Sequence, residues 1–260
     1  MEYSFFTYLL CLVAALLAGV MNSIAGGGTV LTFPALLTTM NPILANGTST
    51  FALLPGSLAG AWTFRGFLEP VRPILLKLIG PSILGAVIGS LLVILYPVQF
   101  GELYPWLMLL ATLLFLLQKP IQRWTGIQHF QAPSSRTLSW IIGFQFLISI
   151  YGGYFGAGIG ILMISTLGYM GFSNIVEINA VKTVLASIIN FVTLIIFLFK
   201  GIIVWEMAIP MSFTAILGGY LGAVIAKKLS KEMVRTIVIF IGSTVTIYLF
   251  YKQFFAPTSP

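Results

Sequence analysis

Two interruptions in apolar sequence constrain this chain more than any other feature. Asn22-Ser23-Ile24-Ala25-Gly26-Gly27-Gly28-Thr29 sits inside a hydrophobic run near the start, and Tyr154-Phe155-Gly156-Ala157-Gly158-Ile159-Gly160 sits inside another beyond the midpoint. Glycine in a helix interior costs about 1 kcal/mol relative to alanine, so three in succession penalise continuous helix by roughly 3 kcal/mol. Each run is therefore expected to unwind and restart. Where a helix restarts, its first N–H groups lack partners and its positive end faces the break, which attracts an anion without a buried countercharge. Asn22, Ser23 and Thr29 place short polar side chains at the same depth. Gly156, Gly158 and Gly160 repeat the break with fewer polar neighbours. Interrupted helices at corresponding places in two halves of a chain are the pattern of secondary transporters.

The solvent for such a chain is lipid. Of 260 residues, 58% are hydrophobic and only 7% are charged, whereas a soluble domain covers its surface with about 25% charged residues. There is no aspartate, and five of the six glutamates (Glu2, Glu69, Glu102, Glu177, Glu206, Glu232) lie at or near the ends of apolar runs. The net charge of +7 comes from basic residues in short loops, not from a stripe, so it points to anionic headgroups and away from nucleic acid. Cys11 is the single cysteine and His129 the single histidine, which leaves no disulfide, cysteine metal cluster or evident catalytic set, and no cofactor is implied. The start, Met1-Glu2-Tyr3-Ser4, lacks the positive region of a cleavable signal and reads as leading into a retained helix.

A bilayer span takes roughly 20 apolar residues. The expected fold is an all-α integral membrane protein of about eight transmembrane helices in two homologous four-helix repeats. The runs are Phe5 to Ile24 with a continuation from Thr29 to Met40, Asn46 to Phe64, Pro73 to Tyr96, Leu103 to Leu117, Trp140 to Phe155 continuing to Tyr169, Glu177 to Phe199, Val204 to Ala226, and Met233 to Tyr251. Residues 1–118 form the first repeat, the polar stretch 119–138 a linker, and 139–260 the second repeat. Asn46-Gly47-Thr48 answers to Asn179-Ala180-Val181, Arg65-Gly66 to Lys200-Gly201, and Gly85 to Gly89 answers to Gly218 to Gly222, at nearly constant separation. A plain eight-span count puts Arg65, Arg72, Lys77, Lys119, Arg123 and Arg136 on one side but Lys227, Lys228, Lys231 and Arg235 on the other, against the charge rule. The interrupted helices can supply the missing crossing, and parallel and inverted halves both stay open at this stage.

Several residues carry two readings. Gly85 with Gly89, and Gly218 with Gly222, have the four-residue spacing of helix packing. Lys182 lies inside an apolar run, where a lysine costs about 2.5–3.5 kcal/mol at the bilayer centre. It either faces an anionic solute or snorkels towards the interface or Glu177. Arg65 and Lys200 read as interfacial anchors. Asn46, Thr48 and Asn179 sit near the starts of their spans, where N-capping explains Asn46 or Thr48 as well as binding does.

The residues also carry a family resemblance. Gly19 to Leu36, with its Asn-Ser-x-Ala-Gly-Gly-Gly core and Pro34, followed by Asn46-Gly47-Thr48, resembles the first repeat of the TauE/SafE sulfite exporter family. Gly152 to Gly160 is similar to that family's second signature. The resemblance implies a cell-membrane carrier for sulfite, sulfonates, sulfoacetate or other small anions, often exported. Gly47, where alanine is frequent, and Lys182 depart from the commonest pattern. The expected substrate site comprises Asn22, Ser23, Gly26, Gly27, Gly28, Thr29, Asn46, Thr48, Gly156, Gly158, Gly160, Asn179 and Lys182. The partners expected are a small anionic solute and the lipid bilayer. A passive channel and a structural membrane subunit are the alternatives, and proton coupling through Glu177 is a further expectation.

Overall fold

The computed structural model describes residues 4–24, 27–124, 134–170, 172, 175–225 and 231–255. Their regular structure is all helical: α1 (Phe5–Ile24), α2 (Thr29–Leu36), α3 (Pro42–Thr63), α4 (Arg72–Leu95), α5 (Pro97–Trp124), α6 (Ser135–Tyr154), α7 (Ile159–Leu167), α8 (Ile175–Phe199), α9 (Trp205–Ile225) and α10 (Lys231–Phe254), with a 3-10 turn at Arg65–Phe67. Five of them, α1, α4, α5, α8 and α10, are long and apolar enough to cross a membrane. Large side chains face outwards, among them Trp62, Phe213, Tyr220 and Phe240, as a lipid-solvated surface requires.

Most boundaries differ from the sequence expectation for visible reasons. Asn41, not Asn46 or Thr48, caps α3: its Oδ1 accepts from the Leu44 N–H at 3.0 Å, with Pro42 in the first turn. The polar stretch 119–138 is partly helical, because α5 runs on to Trp124 and Ser134 caps α6 by accepting from the Thr137 N–H at 3.1 Å. His129, Lys227 and Lys228 lie outside the described residues.

Pairwise contacts fix the helix directions. α1 and α9 run parallel, with Tyr8 donating to the Glu206 carbonyl at 3.5 Å and Gly19 against Ala215 and Gly219. α4 and α6 also run parallel, through Ser82 with Gln145, Gly85 with Phe146 and Ser149, and Gly89 with Ile150 and Tyr154. α3 and α8 are antiparallel: Ser187 donates to the Ser57 carbonyl at 2.9 Å and Gly60 faces Thr183. α5 and α10 are antiparallel too, since Gln253 donates to the Glu102 carbonyl, Trp106 meets Phe250, and Arg235 donates to the Phe115 carbonyl. α2 turns back along α1, with Gly28 near Asn22 and Ala35 near Cys11. α7 runs against α8, with Gly156 beside Asn190 and Gly160 beside Lys182. α3 starts beside α9, with Gly47 on Ile202, Thr48 bonded to Val204 and Phe51 against Trp205. The odd-numbered helices therefore point one way and the even-numbered helices the other.

Close helix approach rests on glycine. A methyl at Gly218 would collide with the Leu16 carbonyl, and one at Gly85 would lie 2.6 Å from the Phe146 carbonyl oxygen and 2.7 Å from Ser149 Cβ. Gly89 likewise abuts the Ile150 carbonyl. One apolar core unites α1, α2, α3, α5 and α9, and a second lies among α4, α6, α7 and α8, with Tyr151 and Leu162 packed against both. Overpacking at such contacts costs about 1–3 kcal/mol. Gly85→Leu and Gly218→Leu should lower the thermal midpoint of the detergent-solubilised protein, whereas Gly80→Ala, which has nothing within 4 Å, should raise it slightly by removing a helix-interior glycine.

Candidate functional site

Both chain interruptions close on one stretch of α5. Gly27 takes φ +89°, and a methyl there would strike the Phe115 ring. Val30, in the first turn of α2, shares with Thr112 the space beside Gly242. Gly158, the N-cap residue of α7, takes φ +80°, and a methyl on it would lie 3.4 Å from Leu114 Cδ1 and 3.9 Å from Ala111 Cα. Residues 111–115 are the middle of the 28-residue α5, which spans about 42 Å at 1.5 Å per residue. The N-termini of α2 and α7 thus start at mid-depth and leave in opposite directions. Phe33 of α2 meets Phe155 edge to face at 5.0 Å and ties the two breaks to each other.

Each break is held by a bond from the helix before it. Asn22 Oδ1, in the last turn of α1, accepts from the Gly28 N–H at 2.8 Å. Tyr151 donates its hydroxyl to the Ala157 carbonyl at 2.7 Å, and Gly156, at φ +79°, donates to the Tyr151 carbonyl at 3.1 Å. The positive φ angles at Gly27, Gly156 and Gly158 admit glycine with little strain and other residues only at a cost of about 1–2 kcal/mol.

The other expected residues divide by what they touch. Asn46 is 1% exposed and donates to the Tyr154 carbonyl at 3.0 Å, capping the end of α6. Thr48 is fully buried and accepts from the Val204 N–H at 3.0 Å, fixing the α8–α9 turn against α3. Both are bonded to backbone across the bundle. Thr29 opens α2 and Gly160 sits in the first turn of α7. Lys182 lies along that turn, its Cδ 3.4 Å from the place of a methyl on Gly160, and donates from Nζ to Asn179 Oδ1 at 3.1 Å. Gly26 and the side chain of Ser23 lie outside the described residues.

Sequence reading missed three parts of this site. The α5 floor at Ala111–Phe115 is apolar sequence apart from Thr112, whose hydroxyl bonds the Met108 carbonyl at 2.8 Å. Asn190, whose Oδ1 lies 4.0 Å from the place of a methyl on Gly156, and Thr193, 2% exposed, are polar residues in an apolar run, and their spacing from Lys182 was the available signal. Arg235, two residues inside the Met233 to Tyr251 run, counts in the sequence only as one charge of the Lys227 cluster. It donates to the Leu116 carbonyl at 2.9 Å, the acceptor that Pro120, lacking an N–H, leaves free in α5.

A bundle with interrupted helices meeting at mid-depth and an outward apolar surface is a multi-pass membrane transporter by class. The family model described as sulfite exporter TauE/SafE matches residues 11–249, and the chain belongs to that family. A protein of Haemophilus influenzae named probable membrane transporter protein is 31% identical over 240 residues, covering 91% of each chain. One from a Sinorhizobium species, probable membrane transporter protein ORF9, is 26% identical over 91% of this chain and 90% of its own. Probable membrane transporter protein YfcA of Escherichia coli K12 is 25% identical over 92% of this chain and 88% of its own.

Gly27→Ala meets both a positive φ and the Phe115 ring, whereas Gly156→Ala meets the strain with only the Gly152 carbonyl oxygen at 3.0 Å. Gly27→Ala should therefore destabilise the purified protein more than Gly156→Ala, and the difference should shrink in a Phe115→Ala background. Thermal unfolding of the four variants checks this.

Proposed function

We propose that this protein is a secondary carrier for small anions, with sulfite and short sulfonates as the first class to test, built from two inverted halves. The observation that carries the reading is the convergence of the α2 and α7 N-termini on the midpoint of α5, with Lys182 alongside. Each N-terminus carries about half a positive charge, and the lysine adds a full one. Among apolar helices, where the dielectric is low, these three would attract a compact anion strongly. Anions of that size present acceptor oxygens in several directions, which suits donors arriving from opposed helices.

The helix directions support an inverted arrangement of the halves. Assigning α1–α5 to residues 1–118 with the start of the linker 119–138, and α6–α10 to its end with residues 139–260, gives each half five passes, because α2 and α7 with their flanking segments carry the chain back. An odd number inverts the second half. The α1–α9 and α4–α6 interfaces become copies of one another, while α3 meets α8 and α5 meets α10 about a two-fold axis in the membrane plane. This arrangement removes the charge conflict. Arg65, Arg72, Lys77, Lys119, Arg123, Arg136, Lys227, Lys228, Lys231 and Arg235 all fall on one side in sequence order, leaving Lys200 and Lys252 opposite. The first side is cytoplasmic by the excess of Lys and Arg. Single cysteines placed at Arg65 and at Lys200 in a Cys11→Ser background should label from opposite faces of oriented vesicles; labelling from the same face would defeat the inverted reading.

The family description makes outward movement the first direction to assay. Glu177, 8% exposed in the first turn of α8, is the buried carboxylate that proton coupling would use. Glu177→Gln should then flatten the pH dependence of uptake into proteoliposomes, and an unchanged profile would exclude that role. For the site itself, sulfite, sulfoacetate or formate should raise the melting temperature of the purified protein. Lys182→Ala should weaken that binding about tenfold, the worth of one exposed-to-half-buried charge contact of roughly 1.4 kcal/mol, with Lys182→Arg retaining most of it. Equal affinity in wild type and Lys182→Ala would remove the lysine from the site.

A further inference from the structure

The polar residues of α8 are not scattered. Asn179, Lys182, Asn190 and Thr193, with the small Ala186 between, follow one another at spacings of three, four, four and three, so they share one face of the helix. That face meets the α6–α7 break: Gly160 lies against Lys182 and Gly156 against Asn190. Phe191 and Ile195, on the other side of the same helix, are 49% and 37% exposed and point to lipid.

Thr193 is the informative member. Hydroxyls in apolar helices ordinarily bond the carbonyl one turn back, and Thr183, Ser187, Thr50, Ser57 and Ser82 all do so here. Thr193 does not: its Oγ1 is buried and finds no hydrogen-bond partner among the described residues. An unmade bond of this kind costs about 1–3 kcal/mol. A buried hydroxyl left without a partner, one turn from Asn190 and on the face that carries Lys182, is placed to meet water or a solute.

We propose that this face of α8 lines the translocation path, with Lys182 and Asn179 as its charged end and Asn190 and Thr193 as a second, uncharged station. From Asn179 to Thr193 the face extends about 21 Å, two-thirds of a hydrocarbon core of about 30 Å. The separation from Lys182 to Thr193, about 16 Å along the axis, exceeds the size of a small anion, so the two ends are successive stops and not halves of one site. The uncharged station lets an anion leave the lysine without crossing bare hydrocarbon. This inference rests on the carrier reading for the identity of the solute but not for the existence of the path.

The test uses the full chain in membrane vesicles with Cys11→Ser, which removes the single native thiol. Ala186→Cys, Asn190→Cys and Thr193→Cys are compared with Phe191→Cys and Ile195→Cys for reaction with the anionic reagent 2-sulfonatoethyl methanethiosulfonate. The first three should react at least about tenfold faster, because the reagent attacks the thiolate, which forms in water and not in lipid. Sulfoacetate should slow them severalfold. Equal reactivity across the five positions would overturn the path. Fast reaction that sulfoacetate, sulfate and formate all fail to slow would keep the path and overturn the small-anion reading. If Asn190→Cys fails to insert, Ala186→Cys and Thr193→Cys decide the matter by the same criterion.

Discussion

Inside hydrocarbon there is no water to satisfy a peptide group, and each unpaired N–H or carbonyl costs several kcal/mol. Everything distinctive in this bundle answers to that constraint. Two helices stop beside the middle of α5, and the groups they release are collected by named side chains. Asn22 takes the Gly28 N–H, Tyr151 bonds the Ala157 carbonyl, and Asn46 reaches from α3 to the Tyr154 carbonyl. The same logic recurs at Pro120, where Arg235 bonds the carbonyl that proline leaves free. Irregular backbone survives inside the bundle because protein surrounds it.

The two parallel interfaces solve the packing problem differently. α1 and α9 meet through Gly19 and Gly218 with backbone against backbone. α4 and α6 use Gly85 and Gly89 but add a buried polar cluster, Gln145 Nε2 donating to Ser82 Oγ at 2.9 Å and to Ser149 Oγ at 3.2 Å. The Ser149 bond lies within α6 and the Ser82 bond crosses to α4; one bond between membrane helices contributes about 0.6 kcal/mol on average, so it does not dominate the bundle's stability. Its effect is on register: a helix pinned by Gln145 cannot slide along its neighbour without breaking the bond to Ser82, whereas glycine faces permit small displacements at little cost.

Much of the helix order was readable from hydrophobic runs, since lipid demands about 20 apolar residues for each pass. The start of α1 and the restart at Thr29 matched because the glycines that end one helix also free the next. Helix ends elsewhere shifted because caps such as Asn41 and Ser134 lie outside the apolar run they terminate. Residues chosen for polarity near the breaks divided by the element they come from. Asn22 caps the break that follows its own helix, whereas Asn46 reaches the second break from α3 and Thr48 holds the turn before α9, a distinction that depends on which helices become neighbours. The Ala111–Phe115 floor could not be found in advance, because its part in the site is shape and position, and any apolar helix would have looked the same.

A carrier must release what it binds, and the difference between the halves bears on that requirement. Under the offset that pairs Asn46 with Asn179, Ser49 stands where Lys182 stands in the second half. Ser49 is fully buried and shares a 2.6 Å hydrogen bond with Thr32 of α2, so the first half closes this position with a neutral pair. Two lysines flanking two helix N-termini would place about three positive charges around one small anion and make departure slow. One lysine with a serine opposite gives enough attraction to collect the anion and a direction along which attraction falls. Under the proposed symmetry of the halves, serine at one of the two equivalent positions and lysine at the other make the proposed attraction for an anion unequal between them.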